Sequence, residues 1–520
     1  MLTIPKPLDP HEWLADSSAC EEFYQAFRGC LIKIIADQLN ILPAVVESLF
    51  TEYFSNTIKE NVYECMFMDE RDEEQKRAVN AYELADQLKS TVFEVKNIHF
   101  PVSDNEGVWD YQGLFSLVPK IHFVGCHFYC ADFNAKLLQP RFTGCTFHQK
   151  YLVAEWDAPE DEKPLFAVCR FIEKVTISGN ELCQFPVNGY SVVFSNCELN
   201  SVNIKNTEVD TRLFSFSVEK PAQLKKIKLK NCIINKKFSL ANVKDFQSIE
   251  LTSTVFSRKF ALINCQCQSV VIKDTNFNQL ADFYKSQFEI FLIKKSIFRD
   301  FTGFENCYFG SEGLFTKTVR LNYVTFYSFI NFRGAVFNQP LDLRNTNRQE
   351  QPNFLDARFK ATAIQGTDRE TFRIIKHSFD AVGNHIEANK YFARELQAYR
   401  KELKQEAEPM HRRERILLWL NAQISNHGQN YLRPAAWLLL TILVTALVLA
   451  NDKQQWLVPT SCWWASLTNM LNGFAIGFLP VNAMVGQDKE HLAFMLLLST
   501  LMASTFTWHL LVAIRRHSKR

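Results

Sequence analysis

The sequence repeats in steps of five, and few folds admit such a step. Between Ile121 and Phe147, the residues Phe123, Phe128, Phe133 and Leu138 stand five apart, and after a slip of one Phe142 and Phe147 resume the step. Two positions before three of these large residues sits a small one: Cys126, Ala131 and Cys145. A helix repeats about every 3.6 residues and a strand about every 2, so neither explains the pattern. A chain that turns a corner every five residues, four corners to a coil, does. The large residue at the centre of each five fills the axis, and the small one beside it lets successive coils stack.

The register returns along the middle of the chain. Phe194, Leu199, Ile204 and Val209 are five apart, with Val192, Cys197, Val202 and Thr207 two before each. Leu229 and Ile234 follow Ile227 and Cys232, and Leu251 and Phe256 continue. Then come Ile272 and Phe277 with Val270 and Thr275, and Leu321 and Phe326 with Val319 and Val324. Phe332 and Phe337 carry Ala335, and Phe354 and Phe359 carry Ala357. This pattern resembles the pentapeptide-repeat family over roughly residues 95–360, with loops inserted at about 148–165, 178–190 and 309–317. The family's A-(D/N)-L-x-x is nearly intact at Ala131-Asp132-Phe133; elsewhere Phe often replaces Leu, and Cys, Val or Thr replaces Ala. The resemblance implies a mainly β solenoid, a right-handed quadrilateral β-helix, expected over 93–361. The 45 phenylalanines fit a coil that needs central fillers.

The 14 cysteines would suit a disulfide framework, but their positions argue otherwise. Cys126, Cys145, Cys169, Cys197, Cys232 and Cys307 share the small-residue slot, where free Cys packs as a small hydrophobe and a reducing compartment keeps it so. No CxxC with metal spacing occurs, and Cys265-Gln266-Cys267 is too short, so no metal is expected. Formal net charge is +2, which by itself names no electrostatic partner. A basic cluster, Lys220, Lys225, Lys226, Lys228, Lys230, Lys236 and Lys237, is expected on the outer corners. It reads as a solvated face, as attraction to anionic lipid headgroups, or, third, as a nucleic-acid patch. No interleaved aromatic or arginine reader accompanies it, so specific nucleic-acid binding is not expected.

Residues 1–92 read as a helical N-terminal cap domain. Phe23, Phe27, Leu31, Ile34 and Ile35 fall on one face, and Leu39, Leu42, Val45, Val46, Leu49 and Phe50 continue it after a break. Residues 68–88 predict a charged helix. A solenoid end needs a cap, and a separate sensing or partner domain is the other reading. Met1-Leu-Thr-Ile-Pro5 leads to Pro7, Pro10 and charges with no apolar run, so no secretory signal is expected and the N-terminal bulk belongs in the cytosol.

After the repeats, 367–406 predicts an αα-hairpin. Thr367 caps its start with Glu370 three later; Phe372, Ile375, Phe379 and Val382 form one stripe, and Ala388, Tyr391, Phe392, Leu396 and Tyr399 the other. This hairpin resembles the one that follows the repeats in membrane-bound bacterial members of the family. The membrane domain is placed at 410–520. Arg412, Arg413 and Arg415 precede Ile416-Leu-Leu-Trp-Leu420, which suits an amphipathic helix at a membrane surface. Tyr431–Ala450 and Leu492–Ile514 each span a bilayer by length and apolarity. Arg515, Arg516, Lys519 and Arg520 close the sequence, so both flanks are positive and should lie inside, with 451–491 outside.

The outer loop, with 463–480 as a possible re-entrant segment, resembles a worn two-transmembrane potassium-channel module. Its pore-like residues are Thr468, Gly473, Phe474, Ala475 and Gly477. It departs from the family's T-x-G-Y-G-D filter: Ala475 stands where a second glycine belongs, and no Asp follows directly.

There is no P-loop, strand–GxGxxG–helix, HExxH or nucleophile elbow, and His377, His385 and His491 have no evident catalytic partner. No enzyme, catalytic residue or cofactor is expected. The leading expectation is an inner-membrane, multi-pass scaffold or interaction protein whose N-terminus, solenoid and C-terminus are cytosolic, with the bilayer and an unidentified protein as partners. The alternative is an ion channel whose two-span module is controlled by the β-helix, which would require a homo-oligomer.

Overall fold

In the computed structural model the run of fives closes into coils. The described residues are 17–47, 84, 86–100, 118–130, 138–153, 163–179, 189–217, 223–311, 319–405, 411–452 and 493–518. Phe194, Leu199, Ile204 and Val209, five apart along the chain, each stand in register with residues of neighbouring coils, Phe194 in one strand and the other three along the strand Glu198–Val209. Phe194 pairs with Phe166 and Phe214, Leu199 with Phe171 and Leu224, Ile204 with Ile177 and Leu229, and Val209 with Ile234. One circuit therefore visits four sides, and the chain winds a parallel β-solenoid of about nine turns across residues 120–359. Phe256, Phe277 and Phe298 are in register 21 residues apart, four fives with one residue left over. The slip before Phe142 goes the other way: Phe123 and Phe142 are in register 19 residues apart, four fives less one.

Registered coils put like on like. Phe100, Phe128, Phe147 and Phe171 stack at centroid spacings of 4.8, 4.8 and 4.4 Å. Phe256, Phe277, Phe298 and Phe326 do the same on another side, at 5.2, 4.5 and 5.0 Å. Neighbouring columns meet edge to face, as Phe128 meets Phe123 at 5.6 Å and Phe142 at 5.4 Å. Both geometries suit the aromatic quadrupole. Phe128, Leu199, Ile204 and Phe326 are buried on the axis as the spacing predicts; Phe133 and the Ala131-Asp132-Phe133 motif lie outside the described residues.

The small slot is small for a reason. Its side chain lies against the carbonyl row of the coil before it, and a donor there finds an acceptor. The thiols of Cys126, Cys145, Cys169 and Cys197 donate to the carbonyls of Val95, Phe123, Phe142 and Phe166 at 3.3–3.4 Å. The Thr275 hydroxyl donates to the Lys273 carbonyl at 2.8 Å, which makes Thr acceptable in the same slot. Burial pushes the thiols of Cys232 and Cys265 up to about 11, so they stay protonated and unreactive. Corners need a left-handed residue, and Asn206, Asn231, Ser253, Asp274, Lys295 and Tyr323 take φ of 49 to 55° at one of them in successive coils. Asn supports its own ladder there, Asn231 Nδ2 donating to Asn206 Oδ1 at 3.1 Å. Gly125 holds another corner at φ +65°, where a Cβ would lie 2.5 Å from Asn97 Oδ1.

Helix α1 (Ser17–Leu39) covers the first described coil. Phe23 and Phe27 lie 5.9 and 5.2 Å from the Phe100 ring, and Leu31 and Ile35 are buried beside them. The predicted continuation fails in part: Leu42 is 71% exposed and Val45 42% exposed, while Val46 is buried. The helix ends at Leu39 and Asn40 turns left-handed at φ 55°, which resets the helical phase. Leu49, Phe50 and most of 68–88 lie outside the described residues. The first insertion is also shorter than expected, because Tyr151–Val153 pairs with Val175–Ile177 as a regular side of a coil.

The chain divides into two compact units, the second holding 340–344, 351–354 and 361–520. In it a short helix α2 (Ala361–Gly366) precedes α3 (Arg369–Ala381) and α4 (His385–Gln405), which form the expected hairpin around Phe372, Ile375, Phe379, Ala388 and Tyr391. The cap of α3 is Asp368, not Thr367. The Asp368 carboxylate accepts from the Thr371 amide at 2.9 Å and its hydroxyl at 2.7 Å. Thr367 is engaged one turn earlier, donating to Ala363 O at 2.8 Å and accepting from Leu341 N at 3.1 Å. Val382 follows the last turn of α3 and is exposed, so it leaves the predicted stripe.

Candidate functional site

In the solenoid unit Lys226, Lys228 and Lys230 of the predicted basic cluster stand on a side of the coil rather than on its corners. The strand Gln223–Ile234 points Leu224, Ile227, Leu229, Cys232 and Ile234 inward, and alternation turns Lys226, Lys228 and Lys230 outward, with Lys225 exposed where the strand passes from one side to the next. Lys236 and Lys237 are exposed beyond its end, and Lys220 lies outside the described residues.

Register extends this patch to residues that the sequence cluster omits. Lys205 pairs with Lys230, Lys230 with Thr252, Thr252 with Lys273 and Lys273 with Lys294, so one outward row carries four lysines. Each follows directly on a central residue: Ile204, Leu229, Ile272 and Ile293. Aligning the fives in the sequence and reading the next position would have found them. A second row runs Asn203, Lys228, Glu250, Val271, Leu292 and Arg320, and a third runs Lys174, Ser201, Lys226, Ser248 and Ser269. Across the three rows there are eight cations and one carboxylate, Glu250, which Lys228 holds at 2.7 Å. For a chain of net charge +2, this is strong segregation onto one side.

A histidine stack marks another side near the N-terminal end. His99 lies on His127 at 4.4 Å and Tyr129 on His148 at 4.1 Å, and His127 Nδ1 is 3.0 Å from His148 Nε2. Burial, then the positive charge of His127, His99 and Arg170, holds His148 down at about 4. Among the described residues no group of three or more His, Cys, Asp and Glu could hold a metal ion. The consequence is a pH dependence. Below about 6.5, the ordinary histidine value, the unfolded chain takes up a proton that folded His148 refuses until about 4, so the first coils lose stability as pH falls across that window. The protection factors of amides in 120–130 and 138–150, exchange corrected for its own pH dependence, are expected to fall between neutral and mildly acidic pH, and His148→Asn should flatten the trend; an unchanged slope in the variant would remove His148 as its cause.

In the second unit, α5 (His411–Ser425) leads to α6 (Leu432–Asp452) and α7 (Ala493–Ser518). Ile416, Leu417, Trp419 and Leu420 of α5 are exposed. Helices α6 and α7 contain apolar windows, Leu432–Leu449 and Leu497–Arg516, of mean hydropathy 2.0 and 1.6. Trp437 stacks on Phe506 at 6.1 Å, and an apolar cleft of about 180 Å³ lies between Thr441, Thr445, Met495, Ser499 and Met502. The hydroxyls do not need water: Thr441 donates to Trp437 O at 2.9 Å, Thr445 to Thr441 O at 2.8 Å and Thr505 to Leu501 O at 2.8 Å. At the foot of α7, Arg516 donates to His427 O and lies 4.9 Å from the centre of the Phe392 ring, while its carbonyl accepts from Asn389 Nδ2 at 3.2 Å. The pore-like residues Thr468, Gly473, Phe474, Ala475 and Gly477 lie outside the described residues.

Comparison with family models, curated proteins and solved structures gave no match.

Proposed function

We propose that this chain is a membrane-anchored scaffold of the pentapeptide-repeat type, non-catalytic, with its solenoid and both flanks of the helix pair in the cytosol of a cell bounded by an inner membrane. The observation that carries the reading is the exposure of α6 and α7. Both are long and apolar enough to cross a bilayer, yet only 33% of the first window and 11% of the second are buried. A core helix of a soluble protein hides such a surface; a bilayer provides for it. Arg412, Arg413 and Arg415 before the pair and Arg515 and Arg516 at its end support an inside–inside topology.

The expected behaviour is retention in membranes after alkaline washing, with a reporter after Arg520 reading cytosolic and a tag near Asp488 reached by an impermeant reagent from outside. Release by alkali would sink the anchor, and labelling near Asp488 only after permeabilisation would reverse the orientation. A potassium-selective current abolished by Gly473→Val would replace the scaffold with a channel.

A further inference from the structure

We propose that the lysine-bearing side of the solenoid is a docking surface for the anionic headgroups of a lipid bilayer, an inference that rests on the membrane-anchored reading above. Three observations carry it. Charge is concentrated on this side, eight cations against one carboxylate, in a chain of net charge +2. The cations recur in straight rows: neighbouring coils are about 4.8 Å apart, and Lys205, Lys230, Lys273 and Lys294 follow that spacing with one coil left out. The three rows stand side by side on consecutive parallel strands of one sheet, so the charges are spread over one broad face.

The breadth of this face chooses the partner. A duplex presents phosphates on a curved cylinder, and a broad face meets few of them at once. A single strand asks for aromatic platforms between the charges, and the outward positions of these three rows hold none. A bilayer offers headgroups in a plane, and basic residues near an anionic leaflet are attracted within about a Debye length. Spans in the same chain would make the contact intramolecular, so a modest attraction suffices.

The test uses the full chain in lipid nanodiscs, one set of phosphatidylcholine alone and one with phosphatidylglycerol added. Amine acylation is followed lysine by lysine by mass spectrometry. Lys205, Lys230, Lys273 and Lys294 should react roughly threefold more slowly in the anionic discs, with the difference lost at high salt. Lys96, exposed on another side beside Glu94, should not change. Because Lys230 and Lys273 are exposed, Lys230→Glu with Lys273→Glu should leave the fold intact and remove the protection of Lys205 and Lys294. Equal rates in the two discs, in protein that resists alkaline washing, would overturn this inference alone. Protein washed out of the discs would overturn the anchoring reading and this one with it. Duplex DNA protecting the same lysines equally well in neutral discs would also overturn it, in favour of a nucleic-acid surface.

Discussion

Phe128→Ala is expected to cost the solenoid about 3–5 kcal/mol. The ring is fully buried, stacks on Phe100 and Phe147 at 4.8 Å on both sides, and is met edge-on by Phe123 and Phe142. Truncation therefore removes two stacked and two edge contacts as well as buried area, and a column rigidly spaced by backbone pairing cannot collapse into the gap. In a solenoid each coil rests on its neighbours alone, so the damage should be local. Amides of 93–100, 118–130 and 138–153 should lose protection, while those of 246–300 should keep theirs. Uniform loss along the whole repeat would mean that the solenoid unfolds as one cooperative block. A change below about 1 kcal/mol would mean that the axis is not packed as described.

Leu440→Arg separates the two environments that a long apolar helix can occupy. Leu440 is 48% exposed on α6. Were that surface in water, arginine there would be nearly neutral, as surface substitutions usually are. In a bilayer, an arginine near the middle of a span costs about 2.5–3.5 kcal/mol on insertion scales. The expected result is a large fall in the alkali-resistant fraction, with Leu440→Ala close to the parent. Unchanged membrane retention in the arginine variant would turn the reading away from a span.

The solenoid was legible because its signal is repeated: each coil restates the same central and small positions, and an error in one coil is corrected by the next. Phe194 to Val209 gave four sides directly, since an uninterrupted run of fives has only one way to close. Single-copy features were read less well. Thr367 looked like a cap because the motif T-x-x-E ignores the competing bond that its hydroxyl makes to Ala363 O. Val45 looked like a core residue because a helical stripe was carried across Asn40, whose left-handed backbone restarts the phase. The lysine cluster was seen as neighbours in sequence, whereas its row is formed by residues from separate coils, Lys205, Lys230, Lys273 and Lys294. Proximity of that kind follows from coil length, and the inserted loops make coil length irregular.

The buried thiols turn the protein into its own recorder. Cys126, Cys145, Cys169, Cys197, Cys232, Cys265 and Cys307 are buried thiols set at intervals along the repeat. None can meet an alkylating reagent until the backbone around it parts, so each reaction rate counts openings at one height of the rod. Modification read site by site would give a profile of local unwinding from one end to the other without altering a residue. Frayed ends and a quiet middle would mark a spring loaded at its termini; an even profile would mark a rod that either holds or lets go.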